Sequence, residues 1–314
     1  MWYILVNIVS KRGVIFCMGI VELVGKTPLL RLAEIERRHS LKARVYAKLE
    51  MFNPSHSIKD RTALFMLKDA ERNLDHKSRI ITATSGNFGI SLAMLSSTFG
   101  YKAIVVMPEN MPPERQRLIR AYGGDLVLTD GAAGMAGSIE RAEGLLSEMK
   151  NAQIMSQFTN RSNVLAHFST TGPEIYRDID GNVDILIAGV GTAGTLMGTA
   201  EFLKKKNPSI EIIAVEPAES PVISGGVAGQ HQIWGIGAGF LPPLLDASLV
   251  DRVITVDSEA AVRWSMELRR CEGIFVGVSS GAVLSCAVMV GRETKNKDKQ
   301  IAIIFPDGGE KYLK

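Results

Sequence analysis

Hydrophobic positions along this chain come in short unbroken runs separated by longer stretches in which apolar and polar residues recur at helical spacing. Ala43–Leu49, Arg79–Thr84, Lys102–Met107, Asp125–Thr129, Asp184–Ala188, Glu211–Val215, Arg252–Val256 and Gln300–Phe305 are runs of the first kind. They are rich in Ile and Val and do not alternate with polar residues, the pattern of strands buried on both faces. Between them lie predicted helices over Lys59–Glu71, Ile90–Thr98, Met135–Lys150, Val164–Ile179, a stretch ending at Lys206, and Glu259–Cys271. One more helix is expected after Pro112-Pro113, where proline is tolerated in a first turn. Strands alternating with helices predict an α/β protein of mostly parallel sheets, each covered by helices on both faces. A chain of 314 residues suffices for two such three-layer α/β domains with a cleft between them. Gly25–Pro28 reads as a turn into a further strand, and the glycine-rich Ser224–Gly239 as a long loop of functional character.

Composition narrows the class. Hydrophobic residues make up 46% and charged residues 22%, and the net charge is +3, which gives no basic surface for nucleic acid. Lys204-Lys205-Lys206 and the Lys295–Lys299 cluster read as solvated element ends. Cys17, Cys271 and Cys286 have no paired spacing, which excludes a disulfide framework or zinc site and favours a reducing, cytoplasmic setting. The histidines form no metal-ligand cluster. Met1–Phe16 is apolar, but Lys11 and Arg12 interrupt it before spanning length, and it lacks a basic leader and cleavage site. Residues 1–17 are therefore expected to be peripheral or not native, the chain beginning at Met18.

Candidate chemistry centres on Phe52-Asn53-Pro54-Ser55-His56-Ser57-Ile58-Lys59-Asp60-Arg61. Asn53-Pro54 marks a turn, and Ser57 with Asp60 three residues later predicts a helix N-cap and its reciprocal acid. Lys59 then lies in the first helical turn, where the dipole disfavours a cation and lowers its pKa, making the amine nucleophilic. Thr84-Ser85-Gly86-Asn87-Phe88-Gly89 and Gly189-Val190-Gly191-Thr192-Ala193-Gly194-Thr195 each join a strand to a helix through a glycine-rich turn, an arrangement that binds anions. The first suits a carboxylate and the second a phosphate. An activated lysine, a carboxylate site and a phosphate site together describe an amino acid held on pyridoxal phosphate. Taken alone, Gly189–Gly194 is also a GxGxxG, with Glu216 at the distance of a ribose-binding acid, so an NAD-binding dehydrogenase is the rival reading. It leaves Lys59 and the first turn unexplained. The loop has no lysine of an ATP-hydrolysing P-loop.

Asn53–Arg61, Thr84–Gly89, Gln157-Phe158 through Thr171–Glu174, Gly189–Thr195, Gly235-Ile236-Gly237-Ala238-Gly239-Phe240 and Gly277-Val278-Ser279-Ser280-Gly281 fall in the order seen in the cysteine synthase/cystathionine β-synthase family. From Ile20 to Leu313 the chain resembles these fold-type II pyridoxal phosphate enzymes. The resemblance implies the tryptophan synthase β-like fold, with 51–161 as a smaller, mobile substrate-binding domain. It implies likewise that residues 18–50 and 162–314 form the larger domain that holds the cofactor phosphate. It implies that Lys59 forms a Schiff base with the cofactor and moves the substrate α-proton. Asn87 would meet the ring hydroxyl, Gly191, Thr192, Ala193, Gly194 and Thr195 the phosphate, and Ser279 the pyridine nitrogen. Thr84, Ser85, Gly86, Phe88, Gln157 and Gly235 would meet the substrate. The implied reaction expels a β-substituent to an aminoacrylate and adds a sulfur nucleophile, O-acetylserine and sulfide giving cysteine and acetate. A homodimer, and serine acetyltransferase as a partner of some members, are also implied; no metal, membrane or nucleic acid is.

Phe88 stands where the family usually has threonine, and Trp234 where many members have a polar residue. Gly229–Ile233 has no lysine or arginine for a phosphoserine. Ala193 replaces a common glycine and is harmless if its φ is negative. His56, His167 and Phe240 read as packing or loop residues. Alternatives are a cystathionine β-synthase or other β-substituted-alanine synthase, or an amino-acid-binding regulator without turnover.

Overall fold

The computed structural model describes residues 9–10, 13–14, 19–75 and 77–313. β1 (Val9–Ser10) pairs antiparallel with β2 (Gly13–Val14). The other calls on residues 1–17, Cys17 and Met18 among them, lie outside the described residues. The chain continues through β3 (Leu29–Arg31), α1 (Ala33–Arg38), β4 (Arg44–Leu49), α2 (Lys59–Ala70), β5 (Arg79–Ala83) and α3 (Asn87–Phe99). Next come β6 (Lys102–Pro108), α4 (Pro113–Ala121), β7 (Asp125–Thr129), α5 (Gly134–Glu148), β8 (Ala152–Ile154), α6 (Ser162–Ala166) and α7 (Gly172–Asp178). The last part holds β9 (Ile185–Gly189), α8 (Gly194–Lys206), β10 (Glu211–Pro217), β11 (Arg252–Val256), α9 (Ser258–Cys271), α10 (Val278–Arg292) and β12 (Gln300–Phe305).

Two sheets organise these elements. The larger runs β11-β10-β9-β12-β4-β3, parallel except for the antiparallel edge strand β3. The smaller, β7-β6-β5-β8, is parallel throughout. Successive strand residues point to opposite faces, and here both faces are apolar. Ile185 and Ile187 of β9, Ile213 and Val215 of β10, and Ile301 and Ile303 of β12 pack toward α9 and α10. Leu186, Ala188, Ile212, Ala214, Ala302 and Ile304 pack toward α7 and α8. In the smaller sheet Ile80, Val105 and Met107 face α2 and α3, whereas Ile81, Ile104 and Val106 face α5. The unbroken apolar runs of the sequence are the direct expression of this double burial.

Local differences from expectation have physical causes. The single helix expected over Val164–Ile179 is α6, a wide π turn at His167–Thr171, and α7. Pro173 lacks the N–H that an α-helix would require and crowds the preceding turn, which the wider turn relieves. Ser57 Oγ accepts from the Lys59 N–H at the start of α2, at a long 3.4 Å, but the reciprocal bond expected from Asp60 is not made. Ile58 is the flanking residue, and the Asp60 carboxylate accepts instead from the Ser55 N–H at 2.7 Å and from the Ser55 hydroxyl. The Ser57 backbone also forms an isolated antiparallel bridge with Asp307. Among the described residues, no helix is long and apolar enough to cross a membrane. Cys271 and Cys286 are free thiols.

Candidate active site

Both glycine-rich turns and the first residue of α2 meet in one cleft. Lys59, Asn87, Gly191, Thr192, Ala193, Thr195, Gly235 and Ser279 line its inner cavity. Thr84, Ser85, Gly86, Phe88 and Gln157 line the continuous outer part, a space of about 790 Å³ that also reaches Lys59 and Asn87. Of the residues assigned in the sequence to cofactor or substrate, all but Gly194 are in the lining. Burial lowers the Lys59 ammonium to about 8, with Asp307 pulling in the opposite direction. The dominant cause is therefore loss of water rather than the helix dipole. A free amine is needed to capture an aldehyde, so capture of pyridoxal phosphate by the apo-protein should accelerate as pH rises through about 8. Stopped-flow absorbance against pH checks this; an ordinary lysine would place the midpoint near about 10.4.

The phosphate-type turn is built from glycines that have no room for a side chain. A Cβ on Gly191 would collide with the carbonyl oxygen of Gly235, and one on Gly194 with the side chain of Asn163. The first N–H groups of α8 have no intrahelical acceptor and are left for an anion. Asn163 Nδ2 donates to Thr192 Oγ1 at 2.9 Å, and Thr195 Oγ1 lies 3.2 Å from His167 Nε2. His167 is thus a support of the loop rather than simple packing. Burial, then Arg61 and Lys59, hold its pKa well below the usual value, so the ring is neutral. Ala193 corrects a second expectation: its φ is +67°, in the left-handed region, where an alanine is strained by about 1 kcal/mol. Gly191→Ala should push Gly235 out of place and lower cofactor retention at least about tenfold, roughly one lost hydrogen bond to a charged group. Gel filtration followed by absorbance measures it.

In the outer turn, Gln157 Nε2 donates to Thr84 Oγ1 at 3.3 Å, while Gln157 Oε1 is buried without a partner. Phe88 is fully buried and belongs to the same apolar cluster as Leu92, Val105 and Ile119. It closes the floor of the cleft instead of filling it. Sequence reasoning missed Arg115. Its guanidinium donates to the Ser85 carbonyl at 2.9 Å and lies over the rings of Trp234 (5.2 Å) and Tyr312 (5.5 Å). Nothing in the spacing of Glu114-Arg115-Gln116 distinguishes it from a surface helix residue. Phe240, expected to be a packing or loop residue, lies outside helix and strand, meets Phe158 at 5.1 Å and also forms part of the cleft wall.

Asn87 starts α3 and reaches across to the chain's end, donating to Asp307 Oδ2 at 2.6 Å and accepting from Lys311 Nζ at 3.1 Å. Behind Lys59 lies a buried ionic cluster. Arg61 donates to both oxygens of Glu50 and both of Glu174, at 2.7–2.8 Å. Lys48 adds a contact to Glu174 at 2.9 Å. Despite burial, these cations hold the Glu174 carboxyl down at about 2. Glu216, the acid of the dinucleotide reading, is spent within its own loop. It accepts from the N–H groups of Ile223 and Ser224 and from the Ser224 hydroxyl.

The family described as pyridoxal-phosphate dependent enzyme matches residues 20–307. The chain belongs to it, and its sheets and cleft are those of fold type II. Cysteine synthase B of Campylobacter jejuni is 44% identical over 294 residues, covering 93% of this chain and 95% of the relative. The solved cysteine synthase of Entamoeba histolytica superposes with a TM-score of 0.92 at 39% identity, covering 98% of this chain and 92% of that one. O-ureido-L-serine synthase superposes with a TM-score of 0.89 at 37% identity, covering 94% and 92%. The protein is thus a pyridoxal phosphate enzyme. Its residues fit the cofactor: Lys59 offers an amine at lowered pKa, and α8 begins with free N–H groups in a cradle too tight for a Cβ at Gly191.

Proposed function

We propose that this enzyme is a cysteine synthase that replaces the acetoxy group of O-acetylserine with sulfide. The observation that carries the reading is the meeting of Lys59, the Gly191–Thr195 loop and the Thr84–Gln157 turn in a single cleft. Bound there, pyridoxal phosphate supplies the electron-withdrawing ring that makes α-proton removal and loss of a β-substituent feasible. Gly191, Thr192, Ala193, Gly194 and Thr195 hold its phosphate, Asn87 its ring hydroxyl, and neutral Ser279 its pyridine nitrogen. Thr84, Ser85, Gly86 and Gln157 bind the substrate carboxylate, with Arg115 fixing the Ser85 carbonyl from below. Lys59 takes the proton from the α-carbon and later returns one to it. In net terms the Cβ–O bond breaks with its electrons leaving on acetate, and hydrosulfide forms the Cβ–S bond.

Residues 51–161 act as the smaller, mobile domain, closing over the bound carboxylate to exclude water from the reacting centre. We place the enzyme in the cytoplasm as a homodimer, with serine acetyltransferase as a candidate partner. Phe88 and Trp234 favour one second reading, synthesis of another β-substituted alanine, because both line the outer part of the cleft where the family usually has threonine or a polar residue. Product analysis with O-acetylserine, O-phosphoserine and serine, each with sulfide and with a larger thiol, separates the readings. Cysteine from O-acetylserine and sulfide at the highest kcat/KM is expected. A preference for another donor or nucleophile by tenfold or more, about 1.4 kcal/mol of transition-state binding, would replace it.

A further inference from the structure

Asp307, Lys311 and Tyr312 come from the last residues of the chain, yet they touch the centre of the cleft. Asp307 is buried and lines the same inner cavity as Lys59. Its Oδ2 accepts from Asn87 Nδ2 at 2.6 Å and from the Tyr312 hydroxyl at 2.5 Å. The Lys311 ammonium donates to three acceptors, the carbonyls of Ser55 (2.8 Å) and His56 (3.4 Å) and Asn87 Oδ1 (3.1 Å). An ammonium has three hydrogens and no lone pair, so this set uses all of them. It also ties the loop preceding Lys59 to the first residue of α3.

The Asn87 amide is therefore held at both ends by opposite charges. Turned over, it would set its NH₂ against the Lys311 ammonium and its oxygen against the Asp307 carboxylate, so only one orientation is allowed. An amide has two N–H groups and one oxygen. With the oxygen taken by Lys311 and one N–H by Asp307, what remains for the cavity is a donor. We propose that Lys311 and Asp307 are positioning residues that lock the Asn87 amide with its free N–H toward the ring hydroxyl of the cofactor, favouring the ionised oxygen there. This rests on the reading of Asn87 given above.

The test uses holoenzyme of wild type, Lys311→Met, Lys311→Arg, Asp307→Asn and Asn87→Ala. Three readouts are followed: the position and pH dependence of the bound cofactor's visible band, the rate of cofactor loss on dialysis, and Tm. Asn87→Ala should shift the band and speed cofactor loss. Lys311→Met should reproduce both effects in the same sense, with loss faster by roughly tenfold, the scale of one charge-assisted hydrogen bond. Lys311→Arg should restore them in part. Asp307→Asn, which replaces the carboxylate by an amide that can pair with Asn87 either way round, should broaden the band even if Lys311→Met lowers Tm. A wild-type band and retention in both Lys311→Met and Asp307→Asn, alongside an altered Asn87→Ala, would overturn the clasp and leave Asn87 in place. An unaltered Asn87→Ala would overturn the reading of Asn87, and the clasp with it.

Discussion

Lys59→Ala should give a folded protein with no covalently held cofactor and with turnover reduced on the order of a thousandfold or more, since nucleophile and proton carrier are lost together. The visible band of wild type should be absent, and added pyridoxal phosphate should bind only reversibly through the Gly191–Thr195 loop. Folding itself should not suffer. The lowered Lys59 pKa means that burying its charge opposes the native state of the apo-protein. The sign follows from proton counts. Between about 8 and the unfolded value near 10.4 the unfolded chain binds more protons, so apo wild type gains stability as pH rises through that window. The alanine variant should lack this slope. Parallel thermal melts of apo wild type and apo Lys59→Ala at pH 7 and pH 10 measure it, and a variant less stable than wild type at pH 7 would count against burial as the cause of the shift.

Arg61→Met should be the most destabilising single change near the site, by about 3–5 kcal/mol, the scale for breaking a buried ion pair from one side. The methionine matches much of the arginine's length and leaves Glu50, itself fully buried, without its principal cation. Glu174 would keep Lys48 and the Lys26 N–H. The pH dependence should change as well. In wild type the Glu174 carboxyl sits at about 2, well below the unfolded value of about 4.3. Its contribution is complete above the unfolded value and is lost as pH falls toward 2. Without Arg61 that carboxyl titrates nearer its ordinary value, so the variant should lose less of its remaining stability between pH 5 and pH 3. Urea melts across that range compare the two proteins. Because Arg61 lies two residues beyond Lys59 on the same helix, activity of the folded fraction should fall too, through misplacement of the amine.

Much of this fold was legible because both sheets are doubly covered. Runs such as Ile185–Ala188 and Ile301–Phe305 carry no polar residue and admit few other assignments. What escaped lacks that signal. β8 is short and only half-buried, and α1 spans less than two turns with one buried residue. The π turn at His167 follows from Pro173, but its position depends on how α6 and α8 pack. In the site, the glycine turns and Lys59 were readable because their chemistry is local in sequence. Asn163, Arg115, Asp307 and Lys311 act across long separations, and no spacing rule connects Asn87 with a residue more than two hundred positions later. Ala193 illustrates a different limit. Its sign of φ is set by how tightly Gly191 and Gly194 fit their neighbours, which only the folded loop reveals.

The described thiols bear on how such an enzyme survives its own chemistry. Burial pushes Cys286 up to about 12, and burial together with Glu267 pushes Cys271 up to about 11. Thiol–disulfide exchange proceeds through the thiolate, which is scarce for both residues at neutral pH. A reactive cysteine on an enzyme that makes a free thiol would be open to mixed-disulfide formation with any oxidised thiol it met. These two cysteines offer such reagents almost nothing to attack.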